Sequence, residues 1–276
     1  MQSKNLNFFL TIAVFLIAVI FYILNLWRGQ WVQGFFITAL FTLVVFLFSF
    51  WHSSIKFGFK NAFIFLLLSF LVSFGSEFIG TNLANNFEGC YKYSEFLGAQ
   101  IFNVPLLVIL MWTAIIYIAY QVSEHITNFR FFKSTSFLNR FWLSVWCALL
   151  TSLIVVAWDA ALDPLAVSMG WWSWARAGEY FGVPLGNFLG WIVVSFVTVL
   201  IYKLFFEKEE LEKETAFDYA PLVSYTLLCF LTIFMALNLD RPIFAFIAFS
   251  GMFPFISIMV IRFLVSQFNF PEQYKK

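Results

Sequence analysis

The sequence predicts an all-α, polytopic transmembrane helical bundle of eight spans, and three observations predict it. Hydrophobic residues make up 62 % of the 276 residues and charged residues 11 %, where a soluble domain carries about 25 % charged residues. Phenylalanine alone accounts for 41 positions, which leaves too little polar surface to cover a globule in water. Eight stretches reach the length of about 20 apolar residues that a helix needs to cross the hydrocarbon core, at roughly 7–27, 31–51, 61–79, 101–121, 141–162, 185–206, 219–239 and 242–265. The first lacks a small-residue cleavage site and reads as a retained span rather than a signal peptide. The whole chain, 1–276, is expected to form a single integral membrane domain.

Orientation follows from the Lys/Arg bias of short loops. With the N-terminus on one side, that side holds twelve of the sixteen Lys and Arg residues and the other holds Arg28, Lys92, Arg176 and Arg241. Both termini are therefore expected to be cytoplasmic, in a multi-pass protein of a prokaryotic cytoplasmic membrane. The charged run at 207–214 reads as a solvated stretch of a cytosolic linker over about 207–218. Two outer loops, about 80–100 and 163–184, are longer than the topology requires, and such loops tend to carry function. The last two spans carry little besides Asp240 and Arg241 and read as scaffold.

The same composition removes several classes of function. A net charge of +1 gives no basic face for nucleic acid. Cys90, Cys147 and Cys229 form no CxxC pair, and His52 and His125 form no cluster, so neither a disulfide framework nor a metal site is indicated. No nucleotide-binding glycine pattern is present. The expectation is a protein that works without a cofactor.

Polar residues converge at one depth. An ionisable group inside a span costs about 2.5–3.5 kcal/mol on insertion scales and is a functional candidate by default. Glu77 lies near the end of the third span; Asp159 and Asp163 lie at the end of the fifth. Both spans run from inside to outside, so all three carboxyls sit near the outer interface. Asp159 and Asp163 are four residues apart, which places their Cβ atoms about 5–6 Å apart on one helix face. Two carboxyls that close in a low dielectric resist double ionisation, so one of them keeps a proton, as a general acid must. Pro164 is expected to end the helix and aim Asp163 into a cavity, with Asp163 serving to keep the proton on Asp159. The alternative is structural: ion pairs with Arg176, or caps on loop amides.

Aromatic residues crowd the same end: Trp158, Trp171, Trp172, Trp174, Tyr180, Phe181 and Trp191, with Tyr91 and Tyr93 in the other outer loop. They make either an interfacial belt or an aromatic slot for a long apolar ligand, whose ring faces would also stabilise a cation. Asn103 and Asn187 begin the fourth and sixth spans and serve either to orient a water or as N-caps.

Two segments carry a family resemblance. The first is Gly89-Cys90-Tyr91-Lys92-Tyr93, then Leu97-Gly98, Val104-Pro105-Leu106 and Trp112. The second is Trp158-Asp159-Ala160-Ala161-Leu162-Asp163-Pro164, followed by Gly170-Trp171-Trp172-Ser173-Trp174, Tyr180-Phe181-Gly182-Val183-Pro184 and Asn187-Phe188-Leu189-Gly190-Trp191. With Glu77 they cover about 70–205, and they resemble the membrane carotenoid hydratases that act on γ-carotene or bisanhydrobacterioruberin at an acyclic end. The stretch 82–88 departs from that family's more basic, proline-containing pattern. The resemblance implies cofactor-independent addition of water to a terminal isoprenoid double bond, giving a tertiary alcohol. It implies a carotenoid substrate taken from the surrounding membrane lipid, and other enzymes of the pathway as further partners.

Two other readings remain open. Asp159-x-x-x-Asp163 has the spacing with which a prenyl transferase holds magnesium-diphosphate, so another enzyme on the same lipid, an isomerase or a transferase partner, fits the sequence. A non-catalytic carotenoid or lipid binder would keep the aromatic slot but has no need of three acids at one depth.

Overall fold

The computed structural model describes residues 34–83, 91–127, 137–207 and 216–267, together with Leu16 and Ile20. The first expected span, 7–27, otherwise lies outside the described residues. Within them, seven helices are long and apolar enough to cross a membrane: α1 (Gly34–Phe57), α2 (Phe59–Phe78), α3 (Leu106–Thr127), α4 (Phe137–Ser168), α5 (Leu185–Phe205), α6 (Ala220–Asn238) and α7 (Pro242–Gln267). The protein is an integral membrane protein built as a helical bundle.

Helix α3 is the central element. From Ala114 to Tyr120 every residue is fully buried, and α3 packs on α1, α2, α4, α6 and α7. Several of its polar side chains find partners inside the bundle, though the buried Gln121 amide meets none. The Tyr117 hydroxyl lies 2.5 Å from Nδ1 of His52 on α1, whose Nε2 meets the Phe217 carbonyl at 3.0 Å. The Arg262 guanidinium on α7 donates to the His125 carbonyl at 2.6 Å, satisfying a carbonyl that the end of α3 leaves free.

α1 and α3 run about one and a half turns past their expected ends, to Phe57 and Thr127, and two helix ends near the loops also differ from expectation. α3 begins at Leu106 rather than near 101, because a short hairpin precedes it: β2 (Gln100–Ile101) pairs with β3 (Val104–Pro105). Phe102 and Asn103 turn the chain there with φ 49° and 64°, the positive pair that a two-residue hairpin turn of this hand uses. Asn103 therefore neither begins a span nor caps a helix. α4 does not stop at Pro164 but runs on to Ser168. The proline removes the N–H that would have bonded the Ala160 carbonyl, and the Tyr180 hydroxyl donates to that carbonyl at 3.1 Å instead. A kink-prone position is thus made good by an outside donor, and α4 ends later, on Gly170 at φ 71°.

The charged linker is also not wholly solvated where it starts. Glu207 pairs with Lys203 at 2.9 Å and accepts from the Tyr120 hydroxyl, while Lys203 also meets Glu124 at 2.7 Å. Asp218, at the linker's far end, pairs with Lys56; residues 208–215 lie outside the description.

Candidate active site

The two long loops meet as a ribbon. β1 (Tyr91–Tyr93) pairs antiparallel with β4 (Trp172–Trp174), setting Tyr91 opposite Trp174 and Tyr93 opposite Trp172. Side chains alternate across a strand, so Lys92 and Ser173 face outward and are exposed while the four aromatics turn toward the bundle. Tyr91 and Trp174 rings lie 5.7 Å apart, Tyr93 and Trp172 rings 5.8 Å. Sequence reasoning missed this ribbon, although Tyr-Lys-Tyr and Trp-Ser-Trp are both period-two patterns.

The ribbon is pegged to Glu77. Both tyrosine hydroxyls donate to its Oε2, Tyr93 at 2.7 Å, and the Trp112 indole donates to its Oε1 at 2.9 Å. Three donors on one carboxyl fit the acceptor-only carboxylate. α2 continues past Phe78 as one wide turn, Ile79–Leu83. Glycine is needed in that turn, because a Cβ at Gly80 would meet the Tyr91 ring at 2.5 Å.

Burial, and then the Glu77 carboxylate, push the Tyr91 and Tyr93 hydroxyls well above the ordinary phenol value of 10.0. A raised value keeps the proton on as pH climbs, so both stay donors through pH 10.0. The tyrosinate absorbance of the native protein and of a Tyr91→Phe/Tyr93→Phe variant should therefore superimpose up to that pH. A gap opening below it would mean that the two hydroxyls are not held as described.

Beneath the ribbon lies a cavity of about 100 Å³, room for several waters or the end of a ligand but not for a whole polyene. Glu77, Asp163, Asn187, Tyr91, Tyr93, Trp158, Trp172, Trp174 and Trp191 all line it. Asp163 accepts from the Asn187 amide, and Trp172 and Asp159 are its other close neighbours. Asp159 is fully buried and does not line the cavity; no protein donor reaches its oxygens, and its neighbour is the Asp163 carboxyl. The pair is therefore stacked in depth, with Asp163 at the wall and Asp159 behind it.

Three expected residues lie elsewhere. Asn103 is exposed and donates to Asn82 at 2.7 Å. Tyr180 closes the gap at Pro164, and Phe181 sits at φ 50° in a turn, its ring 5.1 Å from Phe244 of α7. Asn187 is in the first turn of α5, where Pro184 holds the cap position, so its amide serves Asp163 rather than the helix end.

Other wall residues had escaped the sequence reading. Trp112 stacks on Trp191 with 17° between the planes, and Trp158 meets Trp191 edge-on. α6, read as scaffold, supplies Leu228, Leu231 and Met235, and its Thr232 accepts from the Trp158 indole at 3.2 Å. α1 supplies Thr38, Phe41 and Thr42. Trp112 carried a signal, a residue with a polar edge inside a span, but nothing in its spacing pairs it with Glu77.

A family model described as carotenoid biosynthesis protein matches residues 29–254. The bisanhydrobacterioruberin hydratase of Haloarcula japonica is 33 % identical over 81 residues, which cover 28 % of this chain and 27 % of that protein. The matched stretch thus spans little more than a quarter of the relative's own length. No solved structure matches.

Proposed function

This chain belongs to the carotenoid biosynthesis protein family, and from that premise we propose that it adds water to the terminal double bond of an acyclic carotenoid end. One observation carries the reading: a carboxyl on the cavity wall, Asp163, is backed by a fully buried acid, Asp159, that no protein donor reaches, while Glu77 also lines the cavity, held by three donors. A proton passes from Asp159, which its dry surroundings keep neutral, to Asp163 and from Asp163 to the alkene's π electrons. The proton goes to the less substituted carbon and leaves a tertiary cation. The faces of Trp158, Trp172 and Trp191 and the charge of Glu77 stabilise that cation. A water adds to the cation through its oxygen, and Glu77 receives the proton that the water sheds. Return of that proton to the aspartate pair restores the starting state, so the net change is the addition of one water and no cofactor enters.

The DxxxD spacing that left a diphosphate reading open gives one acid at the cavity wall and the other buried behind it, rather than two carboxylates side by side for a metal. A lycopene- or γ-carotene-producing host that expresses this chain is expected to accumulate pigment heavier by one water per end hydrated. Unchanged pigment in both hosts, with the protein present in the membrane, would sink the hydratase reading in favour of a carotenoid binder.

We assign the protein to a prokaryotic cytoplasmic membrane with both termini inside, on the Lys/Arg bias of its loops. A reporter fused after Lys276 that works only in the cytoplasm is expected to be active; an active exported reporter at that position would reverse the orientation.

A further inference from the structure

Two threonines on the cavity wall have no part in the chemistry described so far. Thr38 and Thr42 of α1 line the cavity beside Phe41. They are four residues apart and so share one helix face. In the other helices a threonine hydroxyl commonly donates to the carbonyl four residues back, as Thr113, Thr151, Thr226 and Thr232 do. Among the described residues, Thr38 and Thr42 make no such bond.

Their depth is that of Glu77. α1 and α2 form a hairpin about Gly58 and pack on each other, so residues equally far from Gly58 are level. Glu77 is level with Ala39, which sets Thr38 about 1.5 Å nearer the ribbon and Thr42 about 4.5 Å farther from it. α3 gives the same depth: the Ser49 hydroxyl meets the Ala114 carbonyl at 3.4 Å, and the same number of residues back along each helix sets Thr42 level with Leu107, another wall residue. α1 packs on α2 and α3, whereas α4, which carries Asp163, packs on α3 and α5. The threonines thus stand on the side of the cavity that bears Glu77, and Asp163 stands on another.

A water that captures a cation aims a lone pair at it, so both of its O–H bonds need acceptors elsewhere. Glu77 is one, and receives the proton that the water sheds. An indole N–H cannot be the second, since it only donates, and Asn187 is held at Asp163. A threonine hydroxyl accepts as well as donates. We propose that the Thr38 and Thr42 hydroxyls hold the attacking water against Glu77, so that water and proton reach the alkene from different walls of the cavity. The role rests on the hydration reading and deepens it by placing the nucleophile.

The test uses the full chain in lipid nanodiscs loaded with lycopene and equilibrated in heavy water, native and as Thr38→Val/Thr42→Val, which keeps the shape and removes both hydroxyls. The acid then delivers a deuteron to the less substituted carbon of the terminal double bond. In the native protein heavy water captures the cation and the alcohol forms. In the variant more cations go uncaptured. Each sheds a proton from the carbon that took the deuteron, the double bond re-forms, and the unhydrated lycopene carries deuterium, which mass spectrometry reads. Alcohol formation is expected to fall about tenfold, the weight of one hydrogen bond, at unchanged KM. Deuterium in the unhydrated lycopene is expected to rise above the native level, which a merely structural defect would not bring about, and Thr38→Ser/Thr42→Ser to restore the alcohol. Native turnover in the valine variant, or alcohol lost without a rise in deuterium, overturns the water-holding role and leaves the hydratase reading standing. No alcohol from the native protein, with γ-carotene assayed beside lycopene, sinks the hydratase reading and this role with it.

Discussion

Asp159→Asn is expected to lower hydration by about 10²–10⁴-fold, the typical contribution of a general acid, while the protein still folds and inserts. Asparagine is nearly isosteric with a protonated aspartate, so the buried packing is kept and only the transferable proton is lost. An ionisable group buried in a span has also been removed, which does not harm insertion. Asp163→Asn is expected to cost as much rather than less. Of the two, Asp163 alone lines the cavity, so its loss strands the proton behind an amide. Pigment analysis of hosts expressing equal amounts of each variant in the membrane measures this. Near-native turnover in both would make the pair structural and move the protein toward the binder reading.

Glu77→Gln is expected to be nearly as damaging to turnover and mild in stability. A glutamine carbonyl in place of Oε1 still accepts from Trp112. Its amide, in place of Oε2, faces two tyrosine hydroxyls that can rotate and accept. The ribbon stays pegged, and what disappears is the negative charge and the ability to take a proton from water, worth about 10²–10⁴-fold as a general base. Glu77→Ala is the contrasting variant. It leaves the donors of Tyr91, Tyr93 and Trp112 unpaired, at about 1–3 kcal/mol for each that stays dry. Thermal unfolding in detergent should therefore separate Ala from Gln, while turnover should not. Native turnover in the glutamine variant would leave Glu77 as a peg for the ribbon and no more.

The sequence by itself determined the class of the protein and the depth of its chemistry. Spans are legible because a single segment must bury enough apolar surface and satisfy its own backbone in lipid; α2, α5, α6 and α7 begin and end close to the expected limits. The acids were legible for the same reason, since Glu77, Asp159 and Asp163 are costly where they lie. Hydropathy cannot say which span is central, because lipid and protein interior are alike apolar. α3 is central, and its buried Tyr117 finds a partner there.

Tertiary structure decided the rest, and in each case the deciding contact joins residues far apart in the chain. The ribbon of Tyr91–Tyr93 with Trp172–Trp174 pairs two loops from different parts of the sequence. Tyr180 is drawn to Ala160 by a carbonyl that Pro164 leaves unbonded, a demand that exists only once α4 runs on through the proline. Trp112 reaches Glu77 because α3 packs beside α2, and Asp159 lies behind Asp163 because of the way α4 faces the cavity. Helical periodicity puts two residues on one face; which of them meets the cavity is set by the neighbours packed against that face.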